Sequence, residues 1–407
     1  MTDRLLAGPD LAAGAEPLTD HLRRLGPLPG TAERHALPAV LEASGLLGRG
    51  GAGFPVGRKW ASVASRTSGG DAIVLANGAE GEPLSQKDRV LMGTRPHLVL
   101  DGAELAADAV GAERIVLYVG EEHGAAQQAL RRALAERPAA RRVDLVLAPA
   151  RYVAGEESAA VHFVDAGDAR PTTTPPRPYE QGIGRRPTLV QNVESLAQAA
   201  LIARRGDAWY RELGEGATRG TALVTVGGAG RNGVREVPLG IVIGDLAATV
   251  DAPRDAQALL LGGYFGGWVR AREAWDLPLD PVALRRSGTA FGCGVLAFLP
   301  VTACGVGSTA RILDYMAGQS AAQCGPCVFG LRAIADATQR IATRRANGDD
   351  LERIERWSRQ LAGRGACRHP DGAVGLLLSA LDTFGDEFGR HQRSRTCTAV
   401  QATERAA

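Results

Sequence analysis

The sequence predicts an α/β protein with a small β-rich region after it and a helical C-terminal region. Three observations lead to this prediction. Apolar runs typical of buried strands alternate with helical patterns in the first half of the chain. Short apolar runs separated by glycine-rich turns follow, and after Cys304 the apolar spacing is helical. A chain of 407 residues can form two or three domains.

In the first half, buried strands are predicted at 72–76, 114–119 and 143–148. Helical patterns are found at 35–47, 97–110, 123–137 and 192–205. Residues 170–187 contain five prolines and are expected to form an extended loop. The first 34 residues have weak periodicity and are expected to form a tail or surface arm.

In the second half, short strands are predicted at 222–226, 234–238 and 259–263. Four helical patterns follow, which favours a compact bundle, at 309–317, 328–345, 349–363 and 372–388. The expected organisation is an N-terminal arm (1–34), an α/β domain (35–215), a β-rich domain (216–285), a helical bundle (286–392) and a tail (393–407).

Composition and charge exclude several classes of protein. The net charge is +2, so nothing indicates a nucleic-acid partner, and no apolar run approaches the roughly 20 residues of a membrane span. The N-terminal residues do not resemble a secretion signal, so we expect a cytoplasmic protein. Disulfides are rare in that compartment. The six cysteines are therefore expected to be core thiols or metal ligands.

Lysine is almost absent, which draws attention to the two that remain. Among 47 basic residues only Lys59 and Lys87 are lysines, and the chain has only four asparagines, including Asn77 and Asn192. Lysine is a compact ammonium on a flexible stem, whereas arginine is a planar fork. Positions that keep lysine are therefore candidates for function.

A glycine-rich loop at 48–53 satisfies the pattern G-x-G-x-x-G. A dinucleotide fingerprint of this kind needs a strand before the loop and a helix directly after it. Here a helical pattern precedes the loop and Phe54-Pro55 follows it, which disfavours that interpretation. The loop is either structural, or its bare backbone next to Lys59 accepts a phosphate or a flat ring.

Four motifs in order make the sequence similar to a known family. They lie at 48–60, 77–89, 152–159 and 187–196, and they include Gly-Arg-Gly-Gly-Ala-Gly-Phe-Pro, Glu-Gly-Glu-Pro, Gly-Glu-Glu-Ser-Ala and Asn-Val-Glu-Ser-Leu. They resemble the NADH-oxidising flavin subunit of respiratory complex I and the related subunits of hydrogenases and formate dehydrogenases. The resemblance implies a Rossmann-like FMN-binding α/β domain, a soluble-ligand-binding β-grasp domain and a four-helix iron–sulfur bundle.

The resemblance also implies which residues contact the cofactor and substrate. Glu156 and Glu157 are expected on the nicotinamide side as catalytic residues. The implied cofactor contacts are Gly48, Arg49, Gly50, Phe54, Lys59, Asn77, Glu80, Tyr152, Gly155, Glu156, Glu157, Val190, Gln191 and Asn192. The alternatives are that Asn192 only caps a helix, Asn77 only serves a turn, and the charges of Lys59, Glu80 and Glu82 are surface charges.

The sequence departs from the family pattern around the flavin and the nicotinamide. Ala79 replaces an aspartate, Ser62 replaces one aromatic residue, and Arg177 replaces another in the proline-rich loop. Loss of aromatic faces weakens stacking by about 1 kcal/mol each. Arg177 offers a contact for the extra phosphate of NADPH or for a protein donor. NADH and NADPH therefore both stay open as the donor.

The cysteine pattern is incomplete. Cys324 and Cys327 form a C-x-x-C pair and Cys367 follows, but Ala321 stands where the family has its first cysteine. The resemblance implies a [4Fe–4S] or [3Fe–4S] cluster on these three thiolates. His369 is a possible substitute ligand, although a surface-loop histidine is the simpler interpretation. Cys304 and Cys293 are expected to be buried thiols, and Cys397 is expected to take no part.

Three functions follow from these patterns. The first is an FMN-dependent oxidoreductase that takes hydride from NAD(P)H and passes single electrons through the cluster to a partner. The resemblance implies a partner such as an iron–sulfur protein of ferredoxin-like or thioredoxin-like fold. The second is a flavoprotein that exchanges electrons with a ferredoxin-like protein without NAD(P)H. The third is a scaffold subunit without cofactor.

Overall fold

The computed structural model describes residues 3–67, 70–137 and 142–399, which divide into two compact units. The first unit contains the described residues as far as Thr225, together with Val234–Ile241 and Asp280–Val282. The second contains Val226–Gly233, Val242–Leu279 and the described residues from Ala283 onward.

The first unit consists of helices around a parallel sheet. Its helices are α1 (Leu18–Leu25), α2 (Thr31–Ser44), α3 (Val56–Ala64), α4 (Lys87–Thr94), α5 (Pro96–Val110), α6 (Gly124–Glu136), α7 (Glu157–Ala166) and α8 (Val193–Arg211). Its strands are β1 (Ala72–Gly78), β2 (Ala112–Gly120), β3 (Arg142–Ala148) and β4 (Thr188–Asn192), and most of β5 (Thr221–Gly227) and β6 (Gly233–Pro238) also belongs to it.

The parallel sheet confirms the predicted α/β class. Its order is β3-β2-β1-β4, and all three strand pairs are parallel. Successive strands run from β1 to β3 on one side, whereas β4 lies on the other side of β1. Ligands in open α/β sheets bind outside the carboxyl ends of the strands where the order reverses in this way. In this sheet that position is the end of β1 and β4.

Helix α3, which was not predicted, packs tightly against α2. Its buried residues Val56, Trp60 and Val63 have helical spacing, so one apolar face turns inward. A Cβ atom at Gly57 would lie 2.4 Å from the backbone nitrogen of Glu42. Only glycine allows this approach of the two helices. The dipeptide Phe54-Pro55 before α3 therefore enters a helix rather than excluding one.

The N-terminal segment packs into the first unit, in contrast to the predicted tail or surface arm. Leu5 is fully buried, and the backbone nitrogens of Arg4, Leu5 and Leu6 donate to Oε2 of Glu236 over 2.8, 2.7 and 3.0 Å. A carboxylate that accepts three backbone N–H groups fixes the segment strongly. The weak periodicity of these residues results from an irregular backbone anchored by hydrogen bonds.

The second unit contains antiparallel strands followed by the helical C-terminal region. Its elements are α9 (Ile243–Thr249), β7 (Ala258–Leu261), β8 (Gly267–Arg270), α10 (Ala271–Ala274), most of α11 (Pro281–Arg286), β9 (Val295–Leu299), α12 (Gly305–Gly318), α13 (Arg332–Ala342), α14 (Asp350–Leu361) and α15 (His369–Arg393). β7 pairs with β8 and β9, and a π-helical turn at Pro326–Leu331 leads into α13. The four C-terminal helices agree with the prediction.

Among the residues that the structure describes, no helix combines the length and hydropathy that crossing a membrane requires.

Candidate functional site

Two asparagines mark the carboxyl ends of the neighbouring strands β1 and β4. Asn77 and Asn192 are register partners in the parallel pair. Asn77 donates from Nδ2 to the carbonyl of Gly155 over 2.9 Å, and its Oδ1 accepts from the backbone of Ala79 over 3.2 Å. Asn192 caps α8, because its Oδ1 accepts from the backbone nitrogens of Glu194 and Ser195. Its predicted capping role is therefore confirmed.

The glycine-rich loop reaches the same edge of the sheet. Its ends are closed by the hydrogen bonds from Gly48 N to Phe54 O (2.8 Å) and from Val56 N to Leu46 O (2.9 Å). A Cβ atom at Gly50 would lie 3.5 Å from Cβ of Asn192, so the loop passes over the end of β4. Gly51 has φ 103° and nothing within 4 Å of an added Cβ, so its backbone is bare.

The side chain of Arg49 is directed into the unit and supports the loop from inside. It is buried, and Nη2 donates to the carbonyl of Thr221 over 3.0 Å and to the hydroxyl of Tyr210 over 3.3 Å. Its backbone nitrogen donates to Oγ of Ser195 over 2.9 Å. The guanidinium therefore positions the loop against α8.

Lys59 lies on α3, directly after the loop, and faces the Gly-Glu-Glu motif. Its Nζ is 2.9 Å from Oε2 of Glu157, and both side chains are only partly exposed. Glu156 caps α7, with Oε2 accepting from the backbone nitrogens of Ser158 and Ala159. Burial raises the pKa of Glu156 in spite of these hydrogen bonds, so its carboxyl takes up a proton at a higher pH than an exposed glutamate does.

A buried ionic cluster under the site was only partly anticipated. Nζ of Lys87 lies 2.7 Å from Oδ1 of Asp88 and 2.9 Å from Oε2 of Glu194, and Asn192 donates to Oδ2 of Asp88 over 2.7 Å. The rarity of lysine pointed to Lys87, but its partners Asp88 and Glu194 were given no role. A buried lysine needs carboxylates, and that requirement was the available signal.

Glu80 and Glu82 are structural acceptors rather than surface charges. Oε1 and Oε2 of Glu80 accept from the backbone nitrogens of Asp88 and Arg89, both over 2.9 Å, at the start of α4. Glu82 accepts from the hydroxyl of Tyr152 over 3.0 Å. These bonds connect the second motif to the third, and they favour the short 3₁₀ turn Tyr152–Gly155 that presents Gly155.

The remaining residues implied by the resemblance differ in exposure. Phe54 is 53% exposed and is available for stacking on a flat ring. Val190 and Gln191 are buried in β4, and Gln191 accepts from Nε1 of Trp60 over 3.3 Å. Contacts from Val190 and Gln191 to a ligand would therefore come from their backbone at the strand end.

The three cysteines of the incomplete motif are neighbours in the second unit. Burial raises the pKa of the Cys327 thiol to about 11, a hydrogen bond with Ser320 lowers it, and the nearby Cys324 and Cys367 raise it further. Cys327 lies in the π-helical turn, and Cys367 lies in the connection between α14 and α15. The side chain at Ala321 is buried.

His369 is not a surface-loop residue. It is buried as the first residue of α15, and its Nε2 lies 2.7 Å from the carbonyl oxygen of Met316. Burial lowers its pKa, so the ring is neutral near pH 7. The contact with Met316 engages one ring nitrogen and ties α15 to α12.

Fold and site together define a flavoprotein with a cysteine site for an iron–sulfur centre. Residues 41–201 match the Nuo51 FMN-binding domain, and residues 307–391 match the NADH-ubiquinone oxidoreductase-F iron-sulfur binding region. The chain belongs to the F-subunit family of the NADH-quinone oxidoreductases, which confirms the resemblance seen in the four motifs.

Individual relatives match over most of their length. The NADH-quinone oxidoreductase F-type chain numbered 2 of Rhizobium meliloti (strain 1021) is 30% identical over 376 residues, which cover 88% of this chain and 89% of the relative. The HndC chain of the NADP-reducing hydrogenase of Solidesulfovibrio fructosivorans is 28% identical, with 89% and 77% covered. A solved NAD⁺-reducing [NiFe]-hydrogenase in the air-oxidized state is similar with a TM-score of 0.82 and 27% identity, covering 97% of this chain and 67% of that one.

Proposed function

We propose that this chain is the nicotinamide-oxidising subunit of an electron-transfer complex, with FMN at the ends of β1 and β4 and iron–sulfur ligation by Cys324, Cys327 and Cys367. The observation that carries the proposal is the meeting of the bare glycine loop, Lys59 and the two strand-end asparagines at the switch point of the sheet. Its relatives are named as subunits of larger enzymes, which agrees with a protein partner.

The residues present fit FMN. Gly50 and Gly51 are exposed, so the backbone of the loop is open to a flat ring or a phosphate. The start of α8 favours an anion, and Lys59 adds a positive charge on the adjacent helix. Gly155 allows close approach of the backbone, because a Cβ there would meet only Ala79 at 3.8 Å.

The cysteine set fits an iron–sulfur centre with three thiolates. Cys324, Cys327 and Cys367 would be its ligands, with the position at Ala321 lacking a thiol. FMN, when bound, supplies the exchange between two-electron and one-electron transfer that such a subunit needs. Glu156 and Glu157 would border the nicotinamide, with Lys59 holding Glu157 in place.

A second candidate is a flavoprotein that receives or delivers electrons through a ferredoxin-like protein. Ser62 and Arg177 stand where relatives of the resembled family carry aromatic rings, and Arg177 is exposed. An exposed arginine suits an acidic protein donor as well as a dinucleotide phosphate. For the first candidate, we infer a partner that is an iron–sulfur protein of ferredoxin-like or thioredoxin-like fold.

The flavin part of the proposal is tested by heat release of the cofactor from purified full-length protein. The released flavin should be FMN. Lys59→Ala should weaken FMN binding about tenfold or more, since a charge-assisted hydrogen bond contributes about 1.5–3 kcal/mol and Glu157 would lose its counter-charge. Arg58→Ala is the matched control, because Arg58 is the neighbouring cation and pairs with exposed Glu42.

Two results would contradict the assignment. Recovery of FAD, or of no flavin after incubation with FMN, would favour another cofactor or the scaffold function. Equal FMN affinity in the Lys59→Ala and Arg58→Ala variants would show that Lys59 is only a structural partner of Glu157.

A further inference from the structure

Two cysteines and a histidine outside the incomplete motif converge in the second unit. Cys304 is the residue before α12, His391 lies in the last turn of α15, and Cys397 follows that helix. Sγ of Cys304, a ring nitrogen of His391 and Sγ of Cys397 all lie within 4.8 Å of one another. Two thiols and an imidazole at this separation can bind one metal ion without a large movement of the backbone.

The hydrogen bond of His391 suits a metal ligand. The ring is 1% exposed, and Nδ1 lies 3.1 Å from the carbonyl oxygen of Ile341. A carbonyl can only accept, so this contact places a proton on Nδ1 and leaves the lone pair of Nε2 directed towards Cys304, 3.6 Å away. Metal-binding histidines are oriented in this way, with the second nitrogen bonded to a carbonyl or carboxylate.

The neighbours of the cluster also favour a cation. The backbone nitrogen of Gly307 donates to Sγ of Cys304 over 3.3 Å, a contact that stabilises thiolate at the start of a helix. Glu387 lies one turn before His391 on α15, with Oε1 3.2 Å from Nε2. Oε1 of Glu387 also accepts from the backbone nitrogen of Thr398 over 2.8 Å, so the carboxylate is fixed next to the cluster.

We propose that Cys304, His391 and Cys397 bind a structural Zn²⁺ ion, with Glu387 or a water molecule as the fourth ligand. Two sulfur ligands and one nitrogen ligand in a largely buried tetrahedral site suit Zn²⁺. Binding replaces two thiol protons, which are released to solvent, and involves no oxidation or reduction. The ion connects the residues after α15 to the start of α12, and the site is separate from the three cysteines proposed to bind iron.

The test is zinc binding by full-length protein, with Cys304→Ser and Cys397→Ser compared against Cys293→Ser. Serine preserves the helix-capping acceptor at position 304, so folding of that variant should be retained. Cys293 controls for general thiol binding, because it donates to the carbonyl of Gly262 outside the cluster. Each protein is stripped with a chelator, incubated with Zn²⁺ and measured for bound zinc, and a parallel sample is incubated with Co²⁺.

We expect one high-affinity zinc equivalent that is present in the wild type and in Cys293→Ser. Its affinity should fall about tenfold or more in Cys304→Ser, Cys397→Ser and His391→Gln. The Co²⁺ sample should show a thiolate-to-metal absorption band that disappears with the same three variants. Retention of this equivalent in both Cys304→Ser and Cys397→Ser would overturn the proposal. So would a Cys304–Cys397 disulfide in freshly purified protein that excludes zinc.

Discussion

Lys87 shows why this arginine-rich chain keeps a lysine at that position. The residue is fully buried, and a single ammonium lies between the carboxylates of Asp88 and Glu194. Burial lowers the pKa of Lys87, but the two carboxylates raise it more, so the side chain stays charged. A guanidinium is larger and planar, and it could not make both contacts in the same space. The ion cluster thereby fixes Asp88, and Asp88 fixes Asn192 at the candidate flavin site.

Arg177 is the residue with which the choice of dinucleotide can be tested. Its side chain is exposed in the proline-rich loop, while its backbone nitrogen donates to Glu180 over 2.9 Å. If Arg177 contacts the extra phosphate of NADPH, Arg177→Ala should lower kcat/KM for NADPH about tenfold and change kcat/KM for NADH much less.

Steady-state kinetics with both dinucleotides provides the measurement. Arg170→Ala is the control, because Arg170 is an exposed arginine of the same loop that pairs with Asp168. Equal losses for NADPH and NADH in Arg177→Ala would show that Arg177 does not meet the phosphate.

At the scale of elements, α1 is attached through an acid-sensitive ion cluster. Glu16 accepts two hydrogen bonds from Arg24, over 2.9 and 2.7 Å, and lies 3.6 Å from Nδ1 of His21. Burial raises the pKa of Glu16, but the bonds from His21 and Arg24 lower it to about 2. A carboxyl with a depressed pKa stabilises the fold above its unfolded value, and this contribution is lost as the pH falls through the folded value.

Glu16→Gln should therefore lower the free energy of unfolding near pH 7. Between pH 4.5 and about pH 2 the wild type should lose stability relative to the variant, because that window spans the ordinary and folded pKa values. Denaturant unfolding at several pH values measures both effects, with the exposed Glu33→Gln variant as control. A constant difference between wild type and Glu16→Gln across the window would contradict this account.

The segment between α12 and α13 determines how well an iron–sulfur centre is retained. Ala321 occupies the position of the first ligand in the family motif and is buried near the start of the π-helical turn. Ala321→Cys should raise the iron content after anaerobic reconstitution and slow its loss in air, since a fourth thiolate would protect the remaining iron.

Iron analysis before and after exposure to air checks this prediction, with Ala322→Cys as a neighbouring thiol outside the motif. If Ala321→Cys retains no more iron than Ala322→Cys, position 321 does not face the centre. If Cys327→Ala leaves the iron content unchanged, the assignment of the three ligands is wrong.

Across the whole molecule, local patterns predicted the elements and missed the contacts between distant residues. The apolar runs predicted β1, β2 and β3 because parallel strands covered on both faces are continuously apolar. Helix α3 was missed because Gly57 and a preceding proline suggest a loop, although the glycine is required by packing against α2. Cys304 and Cys397 carry no sequence signal of proximity, because only the return of α15 to the start of α12 brings them together.

The central claim is that a reduced nicotinamide delivers electrons to a flavin held at the ends of β1 and β4. The most direct measurement is anaerobic stopped-flow absorbance of full-length, FMN-loaded protein mixed with NADH and, separately, with NADPH. Our account predicts rapid bleaching of the flavin by at least one of the two, and slower bleaching per bound flavin in Glu157→Ala than in the wild type. A fully loaded protein whose flavin is bleached by dithionite but by neither dinucleotide would contradict it, and would assign electron exchange to a protein donor instead.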